Sequence, residues 1–174
     1  MRRSVNLVGL AVAIALAVLG CKRAAKVVVE DAPSAIEPAD LAAMHDKKCV
    51  AGNLESCRAL GVMYQEGTGV SPDPRRATAL FGQACNGGNL SACNNLALNL
   101  GEGIGIEKNP TKAIEAYQKA CDGGFKLACR NLGLMYRDGR GVTVDLTKAE
   151  LLLDNACKGA VPFACKNVAS TSGG

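Results

Sequence analysis

Eight of the nine cysteines in this chain keep a fixed interval. Cys49 and Cys57, Cys85 and Cys93, Cys121 and Cys129, and Cys157 and Cys165 each stand eight positions apart, and each pair begins 36 residues after the last. The four segments read CVAGNLESC, CNGGNLSAC, CDGGFKLAC and CKGAVPFAC. Self-similarity at a period of this length marks a solenoid, in which each repeat buries its apolar surface only against its neighbours.

The pattern between the cysteines is helical. In PTKAIEAYQKAC the apolar residues Ala113, Ala116, Tyr117, Ala120 and Cys121 recur at three- and four-residue spacing, and Leu90, Cys93, Leu96, Ala97 and Leu100 do the same. Ala77, Ala113 and Ala149 share one phase of the repeat; Leu60, Leu96, Leu132 and Val168 share another. A column of small residues, Gly61, Ala97, Gly133 and Ala169, predicts a close approach between helices. Asp73-Pro74 and Asn109-Pro110 put a capping side chain before a proline suited to the first helical turn, and Asp145 precedes Leu146 in the same way. Gly67 and Gly69, Gly103 and Gly105, and Gly139 and Gly141 mark loops between hairpins, with Val70, Ile106 and Val142 expected to pin those loops to the core. Gly87-Gly88 and Gly123-Gly124 end helices just after a cysteine. The reading is all-α, eight helices in four hairpins. Aromatic residues are only 3% of the chain and Trp is absent, so the core must come from Ala, Leu and Val, and a large aromatic-walled pocket is not expected.

In each cysteine segment the first thiol falls in the last turn of one helix and the second in the first turn of the next. Antiparallel helices joined so briefly bring such positions within reach of a disulfide. Zinc ligands usually stand two to four residues apart and redox pairs are typically C-x-x-C, so the spacing favours a covalent staple over a metal clip or a redox pair. The repeat makes the local pairing the simplest: Cys49 with Cys57, Cys85 with Cys93, Cys121 with Cys129, Cys157 with Cys165. No metal or cofactor is expected.

The N-terminus reads as an address. MRRSVNLVGLAVAIALAVLGC has Arg2 and Arg3, an apolar run from Val5 to Leu19, and a small Gly20 before Cys21. This is the layout of a secretory signal. The end, VLGC, resembles the lipobox of bacterial lipoproteins, in which the cysteine is lipidated and becomes the first mature residue. An ordinary cleaved signal and an uncleaved anchor are the alternatives, the run being short of the roughly 20 residues that a spanning helix needs. The organisation expected is a signal over 1–20, a lipidated Cys21 and tether over 21–37, a solenoid over 38–170 and a tail over 171–174. Lys22, by resemblance to enterobacterial lipoproteins, permits transfer to the outer membrane. Export implies a compartment in which disulfides persist. Without Arg2 and Arg3, 18 basic residues face 16 acidic ones. So even a balance, without a concentrated basic footprint, argues against nucleic acid as a partner.

LGVMYQEGTGVSPDPRRA and LGLMYRDGRGVTVDLTKA resemble the Sel-one-like repeat, a relative of the tetratricopeptide repeat, and the 36-residue period with C-x(7)-C resembles the Helicobacter cysteine-rich protein family in particular. The resemblance covers about residues 38 to 170; the second repeat departs from it, with Leu100 where Tyr64 and Tyr136 stand. It implies a right-handed α/α superhelix of disulfide-bridged helix pairs with a concave groove, which in related proteins binds proteins or extended peptides. It also implies an alternative, since members of the cysteine-rich family have been described as penicillin-binding or weak β-lactamases. No serine here has lysine three residues on, neither S-D-N nor K-T-G occurs, and there is one histidine, so no catalytic constellation of either lactamase class is displayed. His45 is in phase with Phe81, Tyr117 and Leu153 and is expected to fill a core position.

The binding reading has a feature of its own. After each second cysteine come Arg58-Ala59, Asn94-Asn95, Arg130-Asn131 and Lys166-Asn167. Asparagine is a poor helix residue, yet it recurs in one phase at Asn95, Asn131 and Asn167. Two explanations stand: an amide ladder that bonds a partner's backbone while Arg58, Arg130 and Lys166 meet its acidic groups, or amides that bond neighbouring turns. The partner expected is a protein, an extended peptide or a peptidoglycan-derived fragment, bound by a monomer held to a bacterial membrane through Cys21.

Overall fold

The computed structural model describes residues 36–158. They form seven helices of 13 residues each: α1 (Pro38–Val50), α2 (Leu54–Glu66), α3 (Pro74–Asn86), α4 (Leu90–Glu102), α5 (Pro110–Asp122), α6 (Lys126–Asp138) and α7 (Leu146–Lys158). No strand occurs among the described residues. The expected signal, Cys21, the tether up to residue 35, the last stretch of the solenoid and the tail lie outside them.

Local chemistry fixes the helix ends. The Asp73 carboxylate accepts from the backbone N–H groups of Arg75 and Arg76, Asn109 from Lys112, and Asp145 from Lys148 at 2.9 Å. Two further caps lie inside the cysteine segments, where Asn53 accepts from the Ser56 N–H and Asn89 from the Ala92 N–H, both at 2.8 Å. Phe125 holds the equivalent place before α6 and cannot cap; its ring packs against the core instead. In each Gly-Gly pair only the second residue takes positive φ: Gly88 stands at +104° while Gly87 is right-handed. Gly87 is small for a different reason, since a Cβ there would sit 2.5 Å from Leu54 Cδ2.

The helices form two layers. Contacts run from α3 to α1 (Arg76 with Asp46), from α5 to α3 (the Lys119 ammonium donating to the Cys85 carbonyl, 2.8 Å) and from α6 to α4 (the Asn131 amide donating to Asn94, 3.0 Å). Odd-numbered helices thus make one layer and even-numbered helices the other. Packing is more extensive within α2–α3, α4–α5 and α6–α7 than within α1–α2, α3–α4 and α5–α6. The cysteines staple the thinner joints. Cys49–Cys57, Cys85–Cys93 and Cys121–Cys129 are bridged, with Cα–Cα separations of 4.6, 4.5 and 4.7 Å. Cys157 is bridged as well, and the partner expected for it, Cys165, lies outside the described residues.

The core is built from alanine, leucine and these sulfurs. Ala84, Ala92, Ala97, Ala113, Ala120 and Ala128 are fully buried in one cluster with the bridged cysteines. Such short side chains let helices pack closely, which offsets the scarcity of aromatic rings. The small column admits side chains as much as backbone: a Cβ on Gly61 would lie 2.6 Å from the buried Phe81 ring, and one on Gly133 would lie 3.0 Å from Leu153 Cγ and 3.2 Å from the Ala149 carbonyl. Loop pinning is uneven, for Val70 packs against a buried cluster while Ile106 is 41% exposed. The second glycine of each interhelical loop fixes those loops more firmly. Gly105, at φ +66°, brings its Cα so near α3 that a Cβ would lie 2.1 Å from the Pro74 carbonyl oxygen, and Gly69 meets Pro38 in the same way.

Candidate functional site

Three residues at four-residue spacing form one stripe along each even helix. On α4 they are Asn94, Leu98 and Glu102; on α2, Arg58, Val62 and Glu66; on α6, Arg130, Leu134 and Asp138. Side by side, the three stripes make a band that is cationic or amide near the helix starts, apolar in the middle and anionic at the helix ends. Leu98, in the centre, is 44% exposed, and Val62 and Leu134 are half-buried.

The sequence-derived binding residues fall at one edge of this band, and their bonding differs. Asn94 is buried and accepts from the Asn131 amide, so this pair joins neighbouring repeats. Asn95 is half-buried and makes no side-chain hydrogen bond among the described residues. Arg58 donates to Glu55 one turn earlier through Nε at 2.9 Å, and Glu55 also accepts from the Asn89 amide at 3.0 Å. The Arg58 guanidinium holds the Glu55 carboxyl below its ordinary range, while partial burial opposes that shift. Arg130 reaches only the Asn131 oxygen, at 3.4 Å, and its buried Nε has no acceptor. That leaves Arg130 with unused donor capacity of the kind a carboxylate satisfies. Lys166 and Asn167 lie outside the described residues.

At the anionic edge a cavity of about 210 Å³ opens between α4 and α6, with α5 beneath it. Leu98, Pro110 and Met135 wall it and Tyr117 stands at its base. Burial pushes the Tyr117 hydroxyl up to about 12, with the nearby Arg140 charge opposing, Glu102 adding, and donation from the Asn131 amide opposing. The phenol therefore stays protonated through the physiological range. Arg140 pairs with Glu102 at 3.2 Å on the rim. Repeat spacing does not reveal this cavity, because its walls come from three helices and two loops; its trace in the sequence is Gly101, where the neighbouring repeats carry Gln65 and Arg137. A broader concavity of about 650 Å³ among α5, α6 and α7 is lined by solvated groups such as Lys126, Lys148 and Asp154, and offers no comparable enclosure.

His45 is half-buried, with its Nδ1 buried and unpartnered. No group of three or more His, Cys, Asp or Glu residues among the described residues is arranged to hold a metal ion. No described helix is long and apolar enough to cross a membrane.

The Sel1 repeat family model matches residues 54–89, 90–125 and 126–160, so each matched unit is an even helix followed by an odd one; the Cys85–Cys93 and Cys121–Cys129 bridges link successive units, and Cys49–Cys57 ties α1 to the first. No curated protein matches the chain. Among solved structures, a protective antigen present in uropathogenic Escherichia coli strains, displaying an SLR fold, is similar at 27% identity and a TM-score of 0.72, over 75% of this chain and 28% of that one. A Sel1 repeat protein from Oxalobacter formigenes is similar at 26% identity and a TM-score of 0.70, over 74% of this chain and 53% of that one. Helicobacter pylori cysteine rich protein B shares the fold at 24% identity and a TM-score of 0.55, over 69% of this chain and 92% of that one. The chain thus spans 28% and 53% of the length of the first two.

Proposed function

Because the chain belongs to the Sel1 repeat family, whose repeats are generally protein–protein interaction modules, we propose that it is an exported adaptor that binds an extended protein or peptide segment across α2, α4 and α6. The observation that carries this reading is the band repeated in register on those three helices. Its acidic edge opposes local stability: Glu66, Glu102 and Asp138 are each the last residue of their helix, where the helix dipole disfavours an anion by about 0.3–1 kcal/mol. Three such placements in one row fit a surface arranged for a ligand, with the apolar row Val62, Leu98 and Leu134 as its track. Arg58, Asn95 and Arg130 then meet the ligand's backbone and acidic groups on the other edge.

Export is supported by the bridges, which persist in oxidising compartments. Anchoring through a lipid at Cys21 is supported by the likeness of VLGC to a lipobox and would give the adaptor a bacterial membrane surface to work from. The test is a photo-crosslinking amino acid at position 95, compared with one at Glu115 on the odd-helix layer, in cells that export the full chain. A discrete adduct from position 95 and none from position 115 is the expected outcome. Absence of any adduct at 95, or equal adducts at both positions, refutes the reading.

A further inference from the structure

We propose that the cavity between α4 and α6 is an anchor pocket for one bulky apolar side chain of a peptide ligand, with a carboxylate on a neighbouring residue of that peptide; this rests on the reading of the even-helix face as a peptide-binding surface. Gly101 marks the space. It lies inside the last turn of α4 in helical geometry, where glycine costs up to about 1 kcal/mol relative to alanine. Packing does not require it, because a Cβ there would meet only the Ala113 Cβ, at an ordinary 3.7 Å. The helix therefore accepts a weaker residue to leave space, and that space is the cavity. In the adjoining repeats the same position carries Gln65 and Arg137, whose long side chains would occupy it.

The walls select the occupant. Leu98, Pro110, Met135 and the Tyr117 ring present apolar surface, and the volume of about 210 Å³ suits one leucine- or phenylalanine-sized group. A methyl group would leave most of the lining without partner atoms, so the dispersion contacts would be forfeited. This disfavours alanine-rich cell-wall stem peptides and favours protein-derived segments with a large apolar residue. The rim supplies the second element of recognition. Two cations, Lys108 and Arg140, and one acid, Glu102, line it, and Arg140 already pairs with Glu102. Lys108 makes no hydrogen bond or ion pair among the described residues, so one cation is left in excess for a ligand carboxylate.

The experiment pans a phage-displayed random heptapeptide library against the oxidised full chain, then measures synthetic consensus peptides on variants. Enriched sequences should share an aromatic or branched aliphatic residue with Asp or Glu within two positions. Replacing that apolar residue by alanine should weaken binding at least tenfold, Gly101→Gln should do the same with an unchanged or raised melting temperature, and muramyl dipeptide should not compete. Arg140→Glu should shift the selected neighbour from acidic to basic. Consensus peptides that bind Gly101→Gln as well as the parent, an enriched consensus without the apolar–acidic pair, or competition by muramyl dipeptide overturn the pocket while leaving an adaptor that crosslinks at position 95. A library that yields no binder overturns the pocket; if the crosslinker at 95 is also silent, the adaptor reading falls with it.

Discussion

Gly105→Ala should be among the most damaging single-methyl additions available in this molecule. Two effects combine at that position. A residue with a Cβ at φ +66° takes on the left-handed penalty of about 1–2 kcal/mol. The new methyl also lands 2.1 Å from the Pro74 carbonyl oxygen and 2.6 Å from the Arg75 nitrogen, both backbone atoms that no rotamer change can move. Overpacking of this kind typically costs about 1–3 kcal/mol, and here relief requires lifting the loop away from the start of α3. The sum is about 2–5 kcal/mol, a large part of an ordinary domain's net stability. Two controls separate the effects. Gly88→Ala has strain but no clash, since nothing lies within 4 Å of its Cβ at φ +104°, and should lose about 1–3 kcal/mol. Gly82→Ala has neither and sits within α3, so it should gain about 0.5–1 kcal/mol. Denaturant titrations followed by circular dichroism, with the bridges intact, give the three differences from the midpoints. A loss for Gly105→Ala no larger than that for Gly88→Ala would refute the close approach.

Other perturbations follow from the same packing. Asn99 is fully buried where Met135 stands in the next repeat; its amide donates to Thr78 Oγ1 at 2.8 Å, but its carbonyl oxygen has no partner. Asn99→Met should therefore stabilise the fold by about 1 kcal/mol, and a lower denaturation midpoint would contradict this. Replacing Cys85 and Cys93 together by alanine releases a loop of about nine residues and should lose about 2.5 kcal/mol, read from the same titration; an unchanged midpoint would show that the bridge does not constrain the unfolded chain. Tyr117 is an acid whose folded value, about 12, lies above its ordinary value near 10. The folded chain keeps that proton longer, so this contribution to stability is whole below pH 10 and lost as pH rises towards 12, by about 2–3 kcal/mol. Tyr117→Phe should abolish that alkaline decline, and a decline that persists assigns it elsewhere. Glu55 runs in the opposite sense, its support fading as pH falls through the acidic range. The exposed Arg58 pair limits the effect to under about 1 kcal/mol, so a larger loss in Glu55→Gln would point to a further role.

The periodic part of this fold was legible because each device is local. The cysteine interval, the Asp73, Asn109 and Asp145 caps and the glycine loops each act within a few residues, so their spacing carries their meaning. What spacing could not show is which helices pack most closely. Cysteine pairs suggested units of α1 with α2 and α3 with α4, whereas the greater packing lies in α2 with α3 and α4 with α5. A bridge marks where a joint needs help, and that is where burial is thinner. The asparagines illustrate the same limit. Asn94 and Asn131 follow equivalent cysteines, Cys93 and Cys129, but occupy different phases, and only the stacking of α6 beside α4 turns them into a bonded pair while Asn95 keeps its amide free. Nor does a glycine announce whether it serves a turn, as Gly105 does, or empty space, as Gly101 does; the distinction lies in what surrounds a Cβ that is not there.

The bridges also set how this solenoid would behave under tension. Each one closes an interval of eight residues within a 36-residue period. A pulled repeat can then pay out only 28 residues, about 95 Å of contour, where an unbridged repeat would yield about 120 Å. The force would pass through sulfur at each bridged joint, so the chain between the paired cysteines, including the Asn53 and Asn89 caps and the turns they hold, would bear no load until a bridge is reduced. A protein built this way lengthens in short, covalently limited steps, and the reducing power of its surroundings decides how far it can stretch.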